Sequence, residues 1–291
     1  MGLTAAVTAY GRMVKFSHSI FALPFALAGA AFAAIDHPIT GRQILWIVVA
    51  MVAARNAAMG FNRLADQSYD ARNPRTAGRE LPSGRISRAA AATLVLALCA
   101  LFVLASAMLN PLCLALSPVA LAVVLGYSFT KRFTWATQLF LGLSLAIAPV
   151  GGWLAVRGAF AWPPLVLAGA VLMWVAGFDI IYACQDVAFD RRAGLGSIPA
   201  RFGVARALAV ARVLHFGTAA ALAGLWWLLP LHPVYLAGVA LVAACLAVEH
   251  SLVRADDLSR VSLAFFTANG FVSLLYLAAA LAGIALRPLP A

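Results

Sequence analysis

The sequence predicts an all-α polytopic membrane protein, a bundle of nine transmembrane helices. Two observations lead there. Of the 291 residues, 64% are hydrophobic and 11% charged, whereas a soluble domain carries charge at about a quarter of its positions. Apolar runs of about 20 residues also recur along the whole length, each enough for a helix to cross the hydrocarbon core. Mean hydropathy is accordingly +0.94. Lipid cannot satisfy the backbone groups of open strands, so helices are the expected spanning element.

The spans fall at 16–35, 44–62, 90–109, 111–129, 135–155, 164–184, 206–229, 233–250 and 263–286. The first has a basic lead-in and the small residues Gly29-Ala30-Ala31, which signal peptides share; the spans that follow make it part of an integral protein instead. The second and sixth end in acidic clusters, and each is followed by a long connection, at 71–87 and 191–203. Loops of that length are usually lids or binding loops. The third and fourth spans meet at Asn110-Pro111, and the seventh and eighth at Leu229-Pro230-Leu231-His232-Pro233, both read as tight turns. The fourth ends at the basic pair Lys131-Arg132. Trp153, Trp162, Trp226 and Trp227 fall near the outer boundary, where an aromatic belt is expected. The chain, 1–291, reads as a single integral-membrane domain.

Orientation follows the cations. With the amino terminus inside, all but four of the 21 lysines and arginines lie at inner ends and loops; Arg42, Arg157 and Arg287 lie outside and Arg55 within a span. Such a bias marks the cytoplasmic side, which places the chain in the inner (cytoplasmic) membrane with both acidic clusters facing the cytoplasm. It also accounts for the +11 net charge without a nucleic-acid partner, because no soluble basic domain is present to hold one. Cys99, Cys113, Cys184 and Cys245 are scattered at apolar positions without CxxC spacing, which indicates neither a disulfide framework nor a zinc site.

Chemistry is concentrated in the acids. There are ten in all, and five of them form Asn62-x3-Asp66-x3-Asp70 and Asp186-x3-Asp190 with Asp179 seven residues upstream. Carboxylates four apart share a helix face. A bare cluster of them at a membrane boundary repels itself and loses hydration, so a cation is expected between them. Mg²⁺ takes one or two carboxylates plus phosphate oxygens, with Asp66, Asp70, Asp186 and Asp190 as ligands and Asn62 adding a neutral oxygen. Arg75, Arg79, Lys131, Arg132, Arg191 and Arg192 lie on the same side and suit the remaining charge of a diphosphate. The offset from Arg55 to Asn62 equals that from Asp179 to Asp186, a faint echo of a duplicated four-helix unit plus a ninth helix.

These residues resemble a family. Asn62-Arg63-x2-Asp66-x3-Asp70, followed by Arg75-Thr76-x2-Arg79-x-Leu81-Pro82-Ser83-Gly84, is similar to the first signature of the UbiA superfamily of intramembrane prenyltransferases. Tyr182-x3-Asp186-x3-Asp190, with Gly194, Ser197 and Gly203 beyond it, resembles the second, and Tyr127-Ser128-x2-Lys131-Arg132-Phe133-Thr134 the basic loop between them. The resemblance implies Mg²⁺-dependent transfer of a polyprenyl group from its diphosphate to an acceptor, usually aromatic. It implies that Asn62, Asp66, Asp70, Asp186 and Asp190 hold the metal and diphosphate, with Lys131 and Arg132 on the leaving group.

Arg55 bears on the acceptor. An arginine within a span is a functional candidate, and relatives resembling 4-hydroxybenzoate polyprenyltransferases carry one seven residues before the asparagine. Arg55 would then bind an aromatic carboxylate, with Asp179 also at the acceptor, whether supporting Arg55, binding metal or acting as a base; the bland alternative is an ion pair between the two. Quinone biosynthesis is the expected context, with 4-hydroxybenzoate as the acceptor and 1,4-dihydroxy-6-naphthoate of the futalosine menaquinone route as the alternative. The run Tyr10-Gly11-Arg12-Met13-Val14-Lys15-Phe16-Ser17-His18 resembles a subgroup in which that route occurs; Lys15 and His18 there are candidates for ligand contact or plain interfacial anchors. His215 and His250 form no constellation with Ser or Cys. A secondary transporter is the remote alternative, but transporters place coupling sites near the midplane on broken helices, and here the acids cluster at one membrane boundary.

Overall fold

Each predicted span coincides with helix, apart from a few residues at its ends, where the computed structural model describes it, namely at residues 10, 11, 13, 22–265 and 269–287. Arg12, Lys15 and His18, with the start of the first predicted span and residues 266–268 of the ninth, lie outside the described residues.

Helix α1 covers Leu23–Ala33. α2, Gly41–Arg72, is opened by a capping box in which Thr40 and Gln43 satisfy each other's backbone donors. α3 (Arg88–Leu109) is capped by Ser87, and α4 (Pro111–Thr130) by Asn110 with Pro111 in the first turn. α5 covers Thr137–Arg157 and α6 covers Trp162–Ala183. A 3₁₀ turn at Cys184–Asp186 leads into α7 (Val187–Ala193) and α8 (Ile198–Phe202). α9 (Val204–Leu228), α10 (Val234–Ser251), the short α11 (Val261–Leu263) and α12 (Asn269–Ala285) complete the described chain.

The long helices form a ring. Each packs on the next in the order α2, α3, α4, α5, α6, α9, α10, α12, α1, and α1 closes the ring onto α2 while also lying against α5. That last contact is intimate: a Cβ on Gly152 of α5 would collide with the carbonyl oxygen of Ala26, so only glycine lets the two backbones approach. Phe25, Trp174 and Phe178 pack with ring centroids 5.0 Å apart in the core between α1 and α6. A buried polar node ties four helices nearby. Trp174 Nε1 donates to Asn269 Oδ1 at 2.7 Å, Asn269 Nδ2 to Glu249 Oε1 at 2.9 Å, and the His215 and His250 rings meet at 3.0 Å.

Seven described helices or helix runs are long and apolar enough to cross a membrane, while α1 and α12 are shorter apolar helices of 11 and 17 residues. The predicted spans match closely except the second. That one was expected to end at 62, yet α2 continues ten residues further to Arg72, because its polar end is buried against neighbouring elements rather than released into a loop. The aromatic belt is also corrected. Trp162 and Trp227 are 74% exposed, but Trp153 is buried, its Nε1 donating to the Ala159 carbonyl at 3.1 Å. As for the duplication, α2 packs on α3 across the first long loop much as α6 packs on α9 across the second.

Candidate active site

The site is assembled where α2, α4 and α6 end and α5 begins. Because α2 stays helical through Arg72, Asn62, Asp66 and Asp70 lie along one face, and both aspartates are buried, at 3% and 6% exposure. The second set differs. The 3₁₀ turn interrupts the helix just at Asp186, which caps α7, so Asp186 and Asp190 are not the continuation of a single stripe from Asp179. Both sets nevertheless face one cavity of about 240 Å³, lined by Asn62, Asp66, Asp70, Asp179, Asp186 and Asp190 together with Arg75, Arg79 and Lys131.

Almost every acid there already has a partner. Lys131 Nζ lies 2.6 Å from Asp66 Oδ2, which also accepts from Asn62 Nδ2 at 3.1 Å. Arg79 Nη1 donates to both oxygens of Asp70 at 2.8 Å, and buried Arg63 approaches Asp70 at 4.0 Å. Arg75 crosses to the other set, donating through Nε and Nη2 to Asp186 at 3.0 and 2.5 Å and through Nη1 to the Tyr182 hydroxyl at 3.0 Å. Burial works against the Arg75 charge, but Asp186 and the other nearby acids outweigh it and raise its pKa above the usual arginine value. Ser197 Oγ donates to Asp190 at 3.0 Å. The cation expected between the acids is thus supplied in part by the protein's own bases.

One oxygen is left out. Asp66 Oδ1 is buried without a hydrogen-bond partner among the described residues, a condition that costs about 1–3 kcal/mol or more for a charged group. Among the described residues no three acidic, histidine or cysteine side chains converge closely enough to hold a metal by themselves.

Four predicted site residues stand apart from the cavity wall. Arg132 reaches back to the Ala65 carbonyl at 2.5 Å and lies over the Tyr69 and Phe129 rings. Arg191 is exposed and donates to the Ala200 carbonyl at 2.9 Å, and Arg192 is exposed as well. Arg55 is half-buried in α2; its strongest electrostatic neighbours are Tyr127 and Arg63, whereas those of Asp179 are Asp186, Asp190 and Lys131.

Sequence reasoning missed the residues that hold the walls together. Asn73 is buried, donates to Asp186 Oδ1 at 3.2 Å and accepts from the Arg75 backbone at 3.0 Å, tying the two sets. Gln138 accepts from the Ile198 backbone at 3.1 Å. Gly196 donates its N–H to the Lys131 carbonyl at 2.6 Å, so close that a Cβ would strike the Thr134 carbonyl. The one available signal was position: Asn73 and Gly196 sit in the long loops that directly follow the acids.

Fold and cavity together define an all-helical membrane protein with a buried acid-and-base site at one end of its bundle. The profile of the UbiA prenyltransferase family matches residues 22–286, and the chain belongs to that family of enzymes. It is 30% identical over 226 residues to a 4-hydroxybenzoate octaprenyltransferase of Nitrosospira multiformis, covering 78% of each chain. Its structure is similar to an apo UbiA homologue from Aeropyrum pernix K1, with TM-score 0.79, 34% identity and coverage of 93% of this chain and 98% of that one. The fold is also that of a UbiA homologue from Archaeoglobus fulgidus bound to DMAPP and Mg²⁺, with TM-score 0.73, 21% identity and coverage of 95% and 99%.

Proposed function

We propose that this enzyme transfers a polyprenyl group from polyprenyl diphosphate to a carboxylated aromatic acceptor, 4-hydroxybenzoate, as a step of quinone biosynthesis. The observation that carries the reading is one cavity faced by two separate acid sets, with bases between them and the Asp66 Oδ1 oxygen left without a partner. A carboxylate oxygen in that condition fits a hard cation. Dispersed acids fit Mg²⁺ in particular, which takes only one or two protein carboxylates and completes its shell with phosphate oxygens and water. Asp66 and Asp70 would hold it on one side, Asp186 and Asp190 on the other, with Asn62 adding a neutral oxygen. When bound, Mg²⁺ neutralises the diphosphate and makes it a better leaving group.

The chain's own residues do the rest. Arg75, Arg79 and Lys131, which line the cavity, would turn to the diphosphate oxygens and stabilise the charge that grows as the C–O bond breaks. Arg132, Arg191 and Arg192 act from the rim as a positive field. The apolar bundle shields the allylic cation from water, and Arg55 orients the acceptor carboxylate. The chain works as a single intramembrane unit of nine crossings, α1 and α12 included, in the inner membrane with its site open to the cytoplasm.

The test is prenyl transfer by purified protein with Mg²⁺ and geranyl or farnesyl diphosphate, offering 4-hydroxybenzoate and 1,4-dihydroxy-6-naphthoate in parallel. The reading expects prenylated 4-hydroxybenzoate, abolished by EDTA. Product from the naphthoate alone would move the acceptor to the menaquinone route, and diphosphate-independent movement of solute across vesicles would replace transfer with transport.

A further inference from the structure

Of the acids that face the cavity, Asp179 alone makes no hydrogen bond or ion pair among the described residues, while Asp66, Asp70, Asp186 and Asp190 are each held by a named donor. It sits on α6 seven residues before Asp186, roughly 10 Å deeper along the helix, below the level of the counter-charged walls. The groups that bear on it are Asp186 and Asp190 from its own strand of chain, and Lys131 and Tyr127 from α4 and its end. α5 contributes only the neutral Thr137, Gln138 and Leu141 to the cavity, and His215 of α9 meets α6 at Gly177 and the Trp174 carbonyl. Arg55 lies on α2 seven residues before Asn62, and Tyr127 is an electrostatic neighbour of both Arg55 and Asp179. A cavity-facing carboxylate on α6 and an arginine on α2, both beside Tyr127, match the two ends of a hydroxylated aromatic acid.

We infer that Asp179 is the base that accepts the hydroxyl proton of the acceptor, an inference that rests on the prenyl-transfer reading above. As that proton moves to Asp179, the ring carbon beside the oxygen forms the new C–C bond, the prenyl C–O bond breaks, and its electron pair leaves with the diphosphate. The ring hydrogen then departs as a proton to the released diphosphate, the oxygen recovers its proton from Asp179, and aromaticity returns. Balance is complete with no further reactant. A base placed on the reacting group typically contributes about 10²–10⁴-fold.

The experiment compares wild type with Asp179→Asn, using geranyl diphosphate, Mg²⁺ and either 4-hydroxybenzoate or 4-methoxybenzoate, whose oxygen carries no proton. Binding of geranyl diphosphate with Mg²⁺, measured by calorimetry, should be unchanged in the variant, which shows it folded. Turnover of 4-hydroxybenzoate should fall by about 100-fold or more, while turnover of 4-methoxybenzoate, slow in wild type, should fall no further. Equal losses on both acceptors, or no loss on either, would overturn the role of Asp179 and leave the prenyltransferase reading intact. If wild type binds the diphosphate but forms no product from 4-hydroxybenzoate, the acceptor reading fails and this inference fails with it.

Discussion

The two acidic walls carry the same residue type to the same cavity but are built differently. On α2 the helix runs unbroken, its aspartates are buried, and each is met by a cation from another element. On the other side the helix breaks into a 3₁₀ turn, Asp186 is reached by Arg75 from across the cavity, and Asp190 has, among the described residues, only the hydroxyl of Ser197 as side-chain donor. The first wall is a fixed frame. The second is tied in by the loop residues Asn73 and Gly196 and by Gln138 of α5, and on the proposed reading it is the side whose backbone adjusts more when a diphosphate draws the bases from both sets.

That contrast can be broken by substitution. The largest effect is expected from Asp66→Ala, which removes a buried carboxylate and leaves the half-buried Lys131 without its partner. Transfer should fall by about 10³-fold or more, against about 10²-fold for Asp186→Ala, in steady-state assays at saturating Mg²⁺. Comparable losses would dissolve the distinction between frame and adjustable wall. Next comes Arg75→Ala. Loss of its charge-assisted bonds should weaken diphosphate binding about tenfold to hundredfold, read by calorimetry, since such bonds are worth about 1.5–3 kcal/mol each.

Smaller effects test the loop supports. Gly196→Ala must push the second loop away from Thr134, so thermal unfolding in detergent should show a loss of about 1–3 kcal/mol, with diphosphate affinity falling alongside. Asn73→Ala removes one bond to Asp186 and should weaken diphosphate binding by about tenfold or less. The smallest effect belongs to the rim. Arg191→Ala or Arg192→Ala should change the diphosphate Kd by less than about threefold, because exposed charges are strongly screened; a larger change would return these arginines to the cavity wall.

Much of this was legible from the chain. Hydropathy located the helices to within a few residues, and the spacing of Asn62, Asp66 and Asp70 correctly placed them on one face. The end of α2 was not legible, because hydropathy marks where lipid stops and not where a helix stops. A polar helix turn buried against other elements looks like a loop in sequence. Trp153 was misassigned for a similar reason, since tryptophan at a boundary and tryptophan in a core share their neighbours in sequence. The pairing of bases with acids was hidden because Lys131 and Asp66 are 65 residues apart, and spacing says nothing about which charge meets which. Arg191 shows the converse: adjacency to Asp190 suggested a place in the cavity, but the turn of α7 directs it to Ala200.

The central claim is that both walls grip one diphosphate through metal. It is tested most directly by titrating geranyl diphosphate into wild type, Asp66→Asn and Asp186→Asn, each with Mg²⁺ and with EDTA. The account expects tight binding only for wild type with Mg²⁺, and loss of the metal-dependent part in either variant. Metal-dependent binding that survives in Asp186→Asn would contradict it, leaving the first wall as the whole site.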